Sequence, residues 1–162
     1  MFKLSFLSLL LVSSFASAEE ARRANAHVHG LNNLSMVISQ NQVAITYEMP
    51  IVQLFDEHDE PTLSDESLAE FQNYSQLFAL PESANCDLVS FESGLHNVST
   101  EGDHKDVELA YEFSCNEPSQ LKSITINAFN RFSELETLNF EAVINNKAIT
   151  KSLKSDVNKV IF

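Results

Sequence analysis

The sequence predicts a single α+β domain in which a mainly antiparallel β-sheet is covered by one or two helices and held by one disulfide. Three observations support this fold class. Several segments alternate apolar and polar residues with a period of two, one segment repeats its apolar residues at helical spacing, and two cysteines follow an apparent export signal. A hydrophobic content of 44% with twelve phenylalanines can supply the core of one domain.

The first 18 residues are typical of a signal peptide. Lys3 provides a positive charge, residues 4–15 are apolar apart from serines, and residues 16–18 read Ala-Ser-Ala, which suits cleavage. The apolar run is shorter than the roughly 20 residues that a membrane-spanning helix needs. We therefore expect cleavage after Ala18 and one exported domain over residues 19–162.

The chain is strongly acidic, with a formal net charge of −13 at pH 7. Loss of Lys3 with the signal peptide would make the mature chain one unit more negative. Such a charge repels phosphate backbones and therefore argues against nucleic-acid binding. It also raises the local concentration of cations, including metal ions, although charge alone does not define a site.

The segment 26–30 reads Ala-His-Val-His-Gly and contains His27 and His29. If it is extended, these two side chains leave the same face, about 6.6 Å apart at ~3.3 Å per residue. That spacing permits both imidazoles to bind one zinc ion, because Zn–N bonds are about 2.0–2.1 Å long. The alternative interpretation is a polar pair on an edge strand.

Two alternating segments after this motif, residues 34–38 and 43–49, predict a β-hairpin. The histidine pair occupies odd positions, whereas the apolar residues of the first strand occupy even ones. We therefore expect a bulge or turn near Asn32 and Asn33 that changes the face. Pro50 is expected to end or bend the second strand.

A helix is predicted to begin at Ser64, which can cap it, and to end before Pro81. Its apolar stripe would pack on the sheet; the stripe comprises Leu68, Phe71, Tyr74 or Ser75, and Phe78. The connector before it, residues 56–61, contains His58 among carboxylates. Charged segments of this kind are more often solvated loops than metal sites.

Residues 85–91 and 107–115 predict the next two strands, and each contains a cysteine. A disulfide between Cys86 and Cys115 would join these strands and, on the chain-entropy model, stabilise the fold by about 3–4 kcal/mol. The alternative is a redox or metal-binding pair, which a Cys-x-x-Cys spacing would favour and this sequence lacks.

The polar loop between these strands contains His96, His104 and three carboxylates, of which Asp106 is the last. Zinc accepts imidazole nitrogen and carboxylate oxygen, so this loop offers candidate ligands. A flexible surface loop without a ligand is the alternative interpretation. The rest of the chain predicts, in order, a strand at 121–126, a short helix at 127–135, a strand at 138–142, a turn at 145–146 and a strand at 148–153.

Several short motifs follow one another in an order shared by a known family. They are Ala26-His27-Val28-His29-Gly30, Met49-Pro50, Leu77-Phe78-Ala79-Leu80-Pro81, Ala84-Asn85-Cys86, His104-x-Asp106, Tyr111-x-Phe113-x-Cys115, and Leu121 with Phe129-x-x-Phe132. Over nearly the whole mature chain, this order resembles the zinc-regulated periplasmic protein family (ZrgA-like) of Gram-negative bacteria. The resemblance implies a periplasmic zinc-binding protein that assists zinc acquisition, in partnership with a zinc ABC transporter or its solute-binding protein.

The resemblance also implies a ligand set. The family's opening motif falls on His27 and His29, and its later His-x-acid motif falls on His104 and Asp106. Family members typically carry a longer His-rich loop before the latter motif, and here only His96 and His104 remain. The resemblance therefore implies one compact zinc site, with Asp106 as a fourth ligand or as a supporting residue.

Three classes of function follow from these observations. The first is non-catalytic zinc binding, and the second is an interaction or scaffold module that lost metal binding with the shortened loop. The third is a metallohydrolase, which would need a general base such as Glu108 beside the metal. The sequence contains neither His-Glu-x-x-His nor Gly-x-Ser-x-Gly, so we expect no enzymatic activity.

Overall fold

The structure, a computed structural model, describes residues 30–54, 69–97 and 105–162. These residues form two β-sheets connected by short helical turns. The strands are β1 Leu31–Ser39, β2 Gln42–Pro50, β3 Phe78–Ala79, β4 Cys86–Asn97, β5 Lys105–Cys115, β6 Ser123–Ile126, β7 Thr137–Ile144, β8 Lys147–Leu153 and β9 Lys159–Ile161. The helix α1 is Ala128–Arg131, and 3-10 turns span Ile51–Leu54, Glu70–Gln72, Tyr74–Gln76, Glu82–Ala84 and Pro118–Gln120.

The larger sheet has six strands in the order β4-β5-β2-β1-β7-β8. Every neighbouring pair is antiparallel except β1 and β7, which run parallel from Leu31 opposite Thr137 to Ile38 opposite Ile144. The sheet therefore has two ends. We call one the Gly30 end, where β1, β5 and β7 begin and β2, β4 and β8 finish. The opposite one is the disulfide end.

One face of the larger sheet forms the core, because its strands alternate buried and more exposed residues as period-two segments should. Along β5, Val107, Leu109 and Tyr111 are buried, whereas the residues between them are less so. The aromatic ring of Phe78, from β3, meets Tyr111 edge-on with the centroids 5.3 Å apart. The opposite face of this sheet, which we call the outer face, carries mostly polar side chains.

The second sheet, in the order β3-β6-β9, covers the core face and replaces the predicted helical layer. The mainly antiparallel sheet is confirmed, but within the described residues the fold is nearly all-β, and α1 is four residues long. The predicted helix start at Ser64 lies outside those residues. From position 70 onward the prediction of a continuous helix is wrong, because the chain forms two separate 3-10 turns and then β3.

Tertiary packing explains the missing helix. The chain leaves helical geometry at Asn73, with φ −77° and ψ 76°. This break places Tyr74 against Phe113, with ring centroids 4.8 Å apart, while the Phe71 carbonyl accepts a hydrogen bond from the Tyr111 hydroxyl at 2.8 Å. The apolar spacing that predicted a helix therefore reflects aromatic contacts with β5, which override local helical preference.

The expected change of face near Asn32 and Asn33 is also wrong. Pairing between β1 and β2 is continuous from Asn33 to Ser39, and Asn32 is buried on the same face as Leu34. The extended geometry instead breaks at Gly30, where φ is +82°. A glycine adopts this angle without the clash that a Cβ atom causes.

Other strand predictions are confirmed. The first two strands form a hairpin, β2 ends at Pro50, and Asn145 and Asn146 turn the chain between β7 and β8 with φ of 51° and 63°. Both angles are positive, as a type I′ hairpin turn requires. The short helix after β6 is present as α1.

The predicted signal peptide, residues 1–18, lies outside the described residues. Within the three described segments, no helix is both long enough and apolar enough to cross a membrane.

Candidate functional site

Gly30 anchors the chain just after the His-x-His motif. Its carbonyl oxygen accepts hydrogen bonds from the backbone N–H groups of Glu136 at 2.9 Å and Thr137 at 3.0 Å. A Cβ atom at this position would lie 2.7 Å from the carbonyl oxygen of Glu134, and the positive φ also disfavours a side chain. The glycine of the motif therefore determines where the segment containing His29 joins the sheet.

All six strands of the larger sheet begin or finish at the Gly30 end, and the candidate ligands lie next to three of these strands in sequence, β1, β4 and β5. His29 precedes Gly30 directly, and His104 precedes Lys105, the first residue of β5. In the register of the sheet, Asp106 lies between Pro50 of β2 and His96 of β4. Antiparallel pairing thus brings segments that are far apart in sequence to one end of the sheet.

Of the candidate metal ligands, the structure describes only His96 and Asp106. His27, His29, His58 and His104 lie outside the described residues. His96 is placed by its backbone register alone, opposite Asp106. Among the described residues, no group of three or more His, Cys, Asp or Glu side chains is arranged to hold a metal ion. The predicted ligand set therefore stays a prediction.

Carboxylates gather on the outer face near the Gly30 end. Asp106 and Glu108 lie two residues apart on β5, on the side opposite the buried Val107, and Glu108 pairs with Glu48 of β2. The sequence indicates Glu108 only as a general base for a hydrolase and gives no sign of Glu48, because the order of the strands depends on contacts between distant residues. Like charges on neighbouring strands repel each other, so this region attracts cations.

A buried polar pair lies on the core face close to the same end. The Asn32 side chain, fully buried, donates a hydrogen bond from Nδ2 to the Tyr47 hydroxyl at 2.6 Å, while Asn32 Oδ1 has no partner among the described residues. Burial raises the pKa of the Tyr47 hydroxyl above its ordinary value, and the bond from Asn32 opposes part of that rise. Within the part of the chain that the structure describes, both polar atoms of the Gln53 side chain are likewise buried without a partner.

The even position of Asn32 is the sequence signal for this buried pair. Asn32 occupies an even position, like the buried Leu34 and Met36, whereas the odd positions of the histidine pair predict a change of face here. The Tyr47 hydroxyl supplies the partner that permits an asparagine in a buried position.

The two cysteines lie at the opposite end of the sheet. Cys86 and Cys115 are directly paired in the register of β4 and β5 and form a disulfide. Neither sulfur is a free thiol, so this structure contradicts the alternative of a metal-binding cysteine pair. The predicted disulfide between these two strands is therefore confirmed.

A comparison with known families gives one match. The family model described as "ZrgA family zinc uptake protein" matches residues 26–162. The match begins at the residue before His27 and extends to the last residue of the chain, so it includes the Gly30 end and the disulfide. No match is found among curated proteins.

Proposed function

This chain belongs to the ZrgA family of zinc uptake proteins, and we propose that it is an exported, non-catalytic accessory protein that binds zinc for acquisition or homeostasis. The family supports a role related to zinc. The finer assignment, that this chain itself binds the ion, is our proposal.

One observation carries the proposal: the segments that contain the candidate ligands join the sheet at a single end. The chain enters β1 after His27 and His29, and it enters β5 after His104. Asp106 and His96 are register partners at the same end. Zinc sites combine imidazole nitrogens with carboxylate oxygens, so these five residues form a suitable donor set.

The remaining carboxylates would act on such a site at longer range. Glu108 lies two residues after Asp106 on β5, and Glu48 is its register partner on β2, so both lie further from the Gly30 end than Asp106 does. Their charge would favour a divalent cation over a neutral ligand, and it would help to hold the histidine side chains in position through hydrogen bonds.

We propose the periplasm as the location. The predicted signal peptide would direct export, and a disulfide is typical of proteins in oxidising compartments. A periplasmic zinc protein with a shortened His-rich loop would pass its ion to a zinc ABC transporter or to the solute-binding protein of that transporter.

The experiment is a calorimetric zinc titration of residues 19–162 at pH 7.4. Its test variant is His27→Ala/His29→Ala/His104→Ala, and its matched control is His58→Ala, which removes a histidine outside the proposed site. We expect one saturable site in the native protein and in the control, and its loss in the triple variant, with circular dichroism to verify folding of all three.

Two outcomes would contradict the proposal. Absence of saturable binding by the native chain would leave an interaction or scaffold module as the better account. Equal loss of binding in His58→Ala and in the triple variant would show that the histidines collect the ion without a defined site. A parallel titration with copper would test selectivity, because imidazole sites usually bind Cu(II) more tightly than zinc.

A further inference from the structure

The edge strand β8 offers an open backbone on one side. It pairs with β7 at every residue from Lys147 opposite Ile144 to Leu153 opposite Leu138, without a bulge. Its other side pairs with no strand in the part of the chain that the structure describes. Such an edge can accept a further strand from another chain.

The other edge of the same sheet, β4, is built differently. Its register with β5 shifts between Leu88 and Ser90, and its first residue, Cys86, is tied to β5 by the disulfide. A bulge interrupts a regular hydrogen-bonding edge and so discourages pairing. The edge strand β8 lacks this interruption, and its exposed lysines are the residues that limit unspecific pairing.

The charge of β8 is opposite to that of the whole protein. Lys147 and Lys151 lie on one face of the strand and are exposed, in a chain of net charge −13. The carboxylate nearest in register, Glu141 of β7, pairs with Thr150 and therefore lies on the other face. The two lysines thus present positive charge along the open edge.

An apolar row on the outer face leads to the same edge. Val37 and Val143 are register partners on β1 and β7, and they are 48% and 45% exposed. Ala148 of β8 pairs with Val143 and is exposed as well. A strand added to β8 would place a side chain beside Ala148 and extend this row.

We propose that β8 binds, by antiparallel strand addition, an extended acidic segment of a partner protein. Carboxylates would lie opposite Lys147 and Lys151, and an apolar side chain opposite Ala148. Because paired residues share a face and run in opposite order, the expected pattern is acid, two residues, apolar, acid. This inference does not depend on zinc binding.

Charge argues against two other occupants. Pairing of β8 with β8 of a second copy would bring Lys147 and Lys151 of both copies together, and like charges on paired strands are unfavourable. An anionic membrane would extend well beyond β8 and face much of a protein of net charge −13, whereas a single added strand meets mainly the charge of Lys147 and Lys151, since salt screens more distant charges.

The test is an NMR titration of residues 19–162 with an acetylated peptide that contains Glu-Thr-Thr-Val-Glu. We expect saturable shifts of the amides of residues 147–153. The variant Lys147→Glu/Lys151→Glu should weaken binding about tenfold or more, because two favourable cross-strand pairs become repulsive. The matched variant Lys154→Glu/Lys159→Glu changes the net charge equally outside β8 and should bind as the native protein does.

Three outcomes would overturn the proposal. They are the absence of saturable peptide binding, shifts centred on another strand, and equal weakening by both double variants, which would indicate unspecific charge attraction. Co-sedimentation with phosphatidylglycerol vesicles measures membrane binding of the native protein and of the same variants. If Lys147→Glu/Lys151→Glu abolished vesicle binding while the peptide did not bind, the lysines would belong to a membrane-facing surface instead.

Discussion

The two ends of the six-stranded sheet use the same strands for different purposes. At the disulfide end, Cys86 and Cys115 are covalently linked, and the backbone N–H of Cys115 donates to the carbonyl of Asn41 at 2.7 Å. At the Gly30 end, strands finish beside histidines, and carboxylates gather around Asp106. The comparison teaches that the disulfide and the proposed zinc site are separated along the strands. Loss of the disulfide should therefore leave zinc affinity unchanged.

The largest expected effect comes from breaking the disulfide end. We expect Cys86→Ala/Cys115→Ala to lower the free energy of unfolding by about 3–4 kcal/mol, because the unfolded chain regains the entropy of a large loop. Urea unfolding followed by circular dichroism measures this loss. Zinc affinity, measured where the variant is folded, should stay within about twofold of the native value, since distant sites act independently. A parallel loss of affinity would show that the two ends are coupled.

A smaller effect is expected from Gly30→Ala. The positive φ and the close approach to Glu134 should cost about 1–3 kcal/mol of unfolding free energy. Gly94→Ala is the matched control, because a Cβ atom there meets nothing within 4 Å, and we expect a change within about 0.5 kcal/mol. Similar unfolding curves for the two variants would contradict the anchoring role of Gly30.

Asp106→Asn tests the proposed site with little change of volume. We expect zinc affinity to fall about tenfold, as is usual when a ligand or its hydrogen-bonding support is altered. The control is Asp87→Asn, which removes the same charge near the disulfide end. Competition with a zinc-chelating dye measures both. An equal fall in both variants would mean that net charge, and not position, governs affinity.

The effect that is smallest at neutral pH concerns the buried tyrosines Tyr47 and Tyr111. Burial is the main cause of the raised pKa of Tyr47, and also of that of Tyr111, where Tyr47 adds to the rise. Because the pKa is raised in the folded state, the contribution of each neutral tyrosine to the free energy of unfolding is fully present below the unfolded pKa near 10. It declines as the pH rises above that value. We expect up to about 1.4 kcal/mol lost per pH unit for each tyrosine.

Urea unfolding at several pH values measures this decline. The range runs from about pH 8 to about pH 11, which is about two units below and one unit above the ordinary tyrosine pKa. Tyr47→Phe should reduce the slope, because one titrating group is removed. An unchanged slope would assign the alkaline loss to other groups.

Local patterns predicted much of the larger sheet. Alternation of apolar residues located β1, β2 and β5, because a strand with one buried face carries its own signal. Asn145 and Asn146 indicated the turn between β7 and β8, since asparagine tolerates positive φ. The cysteines indicated the disulfide.

Features that depend on distant contacts were not predicted. The helical spacing of Phe71, Tyr74 and Phe78 arises from packing on β5, which a local pattern cannot distinguish from a helix. The short strand β9 buries only Val160 and is too brief for a period to emerge. The neighbouring positions of Glu48 and Glu108 follow from strand order, which is likewise nonlocal.

The parallel pairing of β1 with β7 has a consequence for the order of folding. Its partners are separated by more than a hundred residues, from Leu31 opposite Thr137 onward. Pairings this remote close large loops and form slowly. The backbone bonds that hold Gly30 come from Glu136 and Thr137, so they must await this late pairing. We therefore expect that, during refolding, protection of the Glu136 and Thr137 amides from hydrogen exchange will lag behind that of the β1–β2 hairpin. The segment that carries His29 would then acquire its attachment point among the last events of folding, after the hairpin next to it is complete.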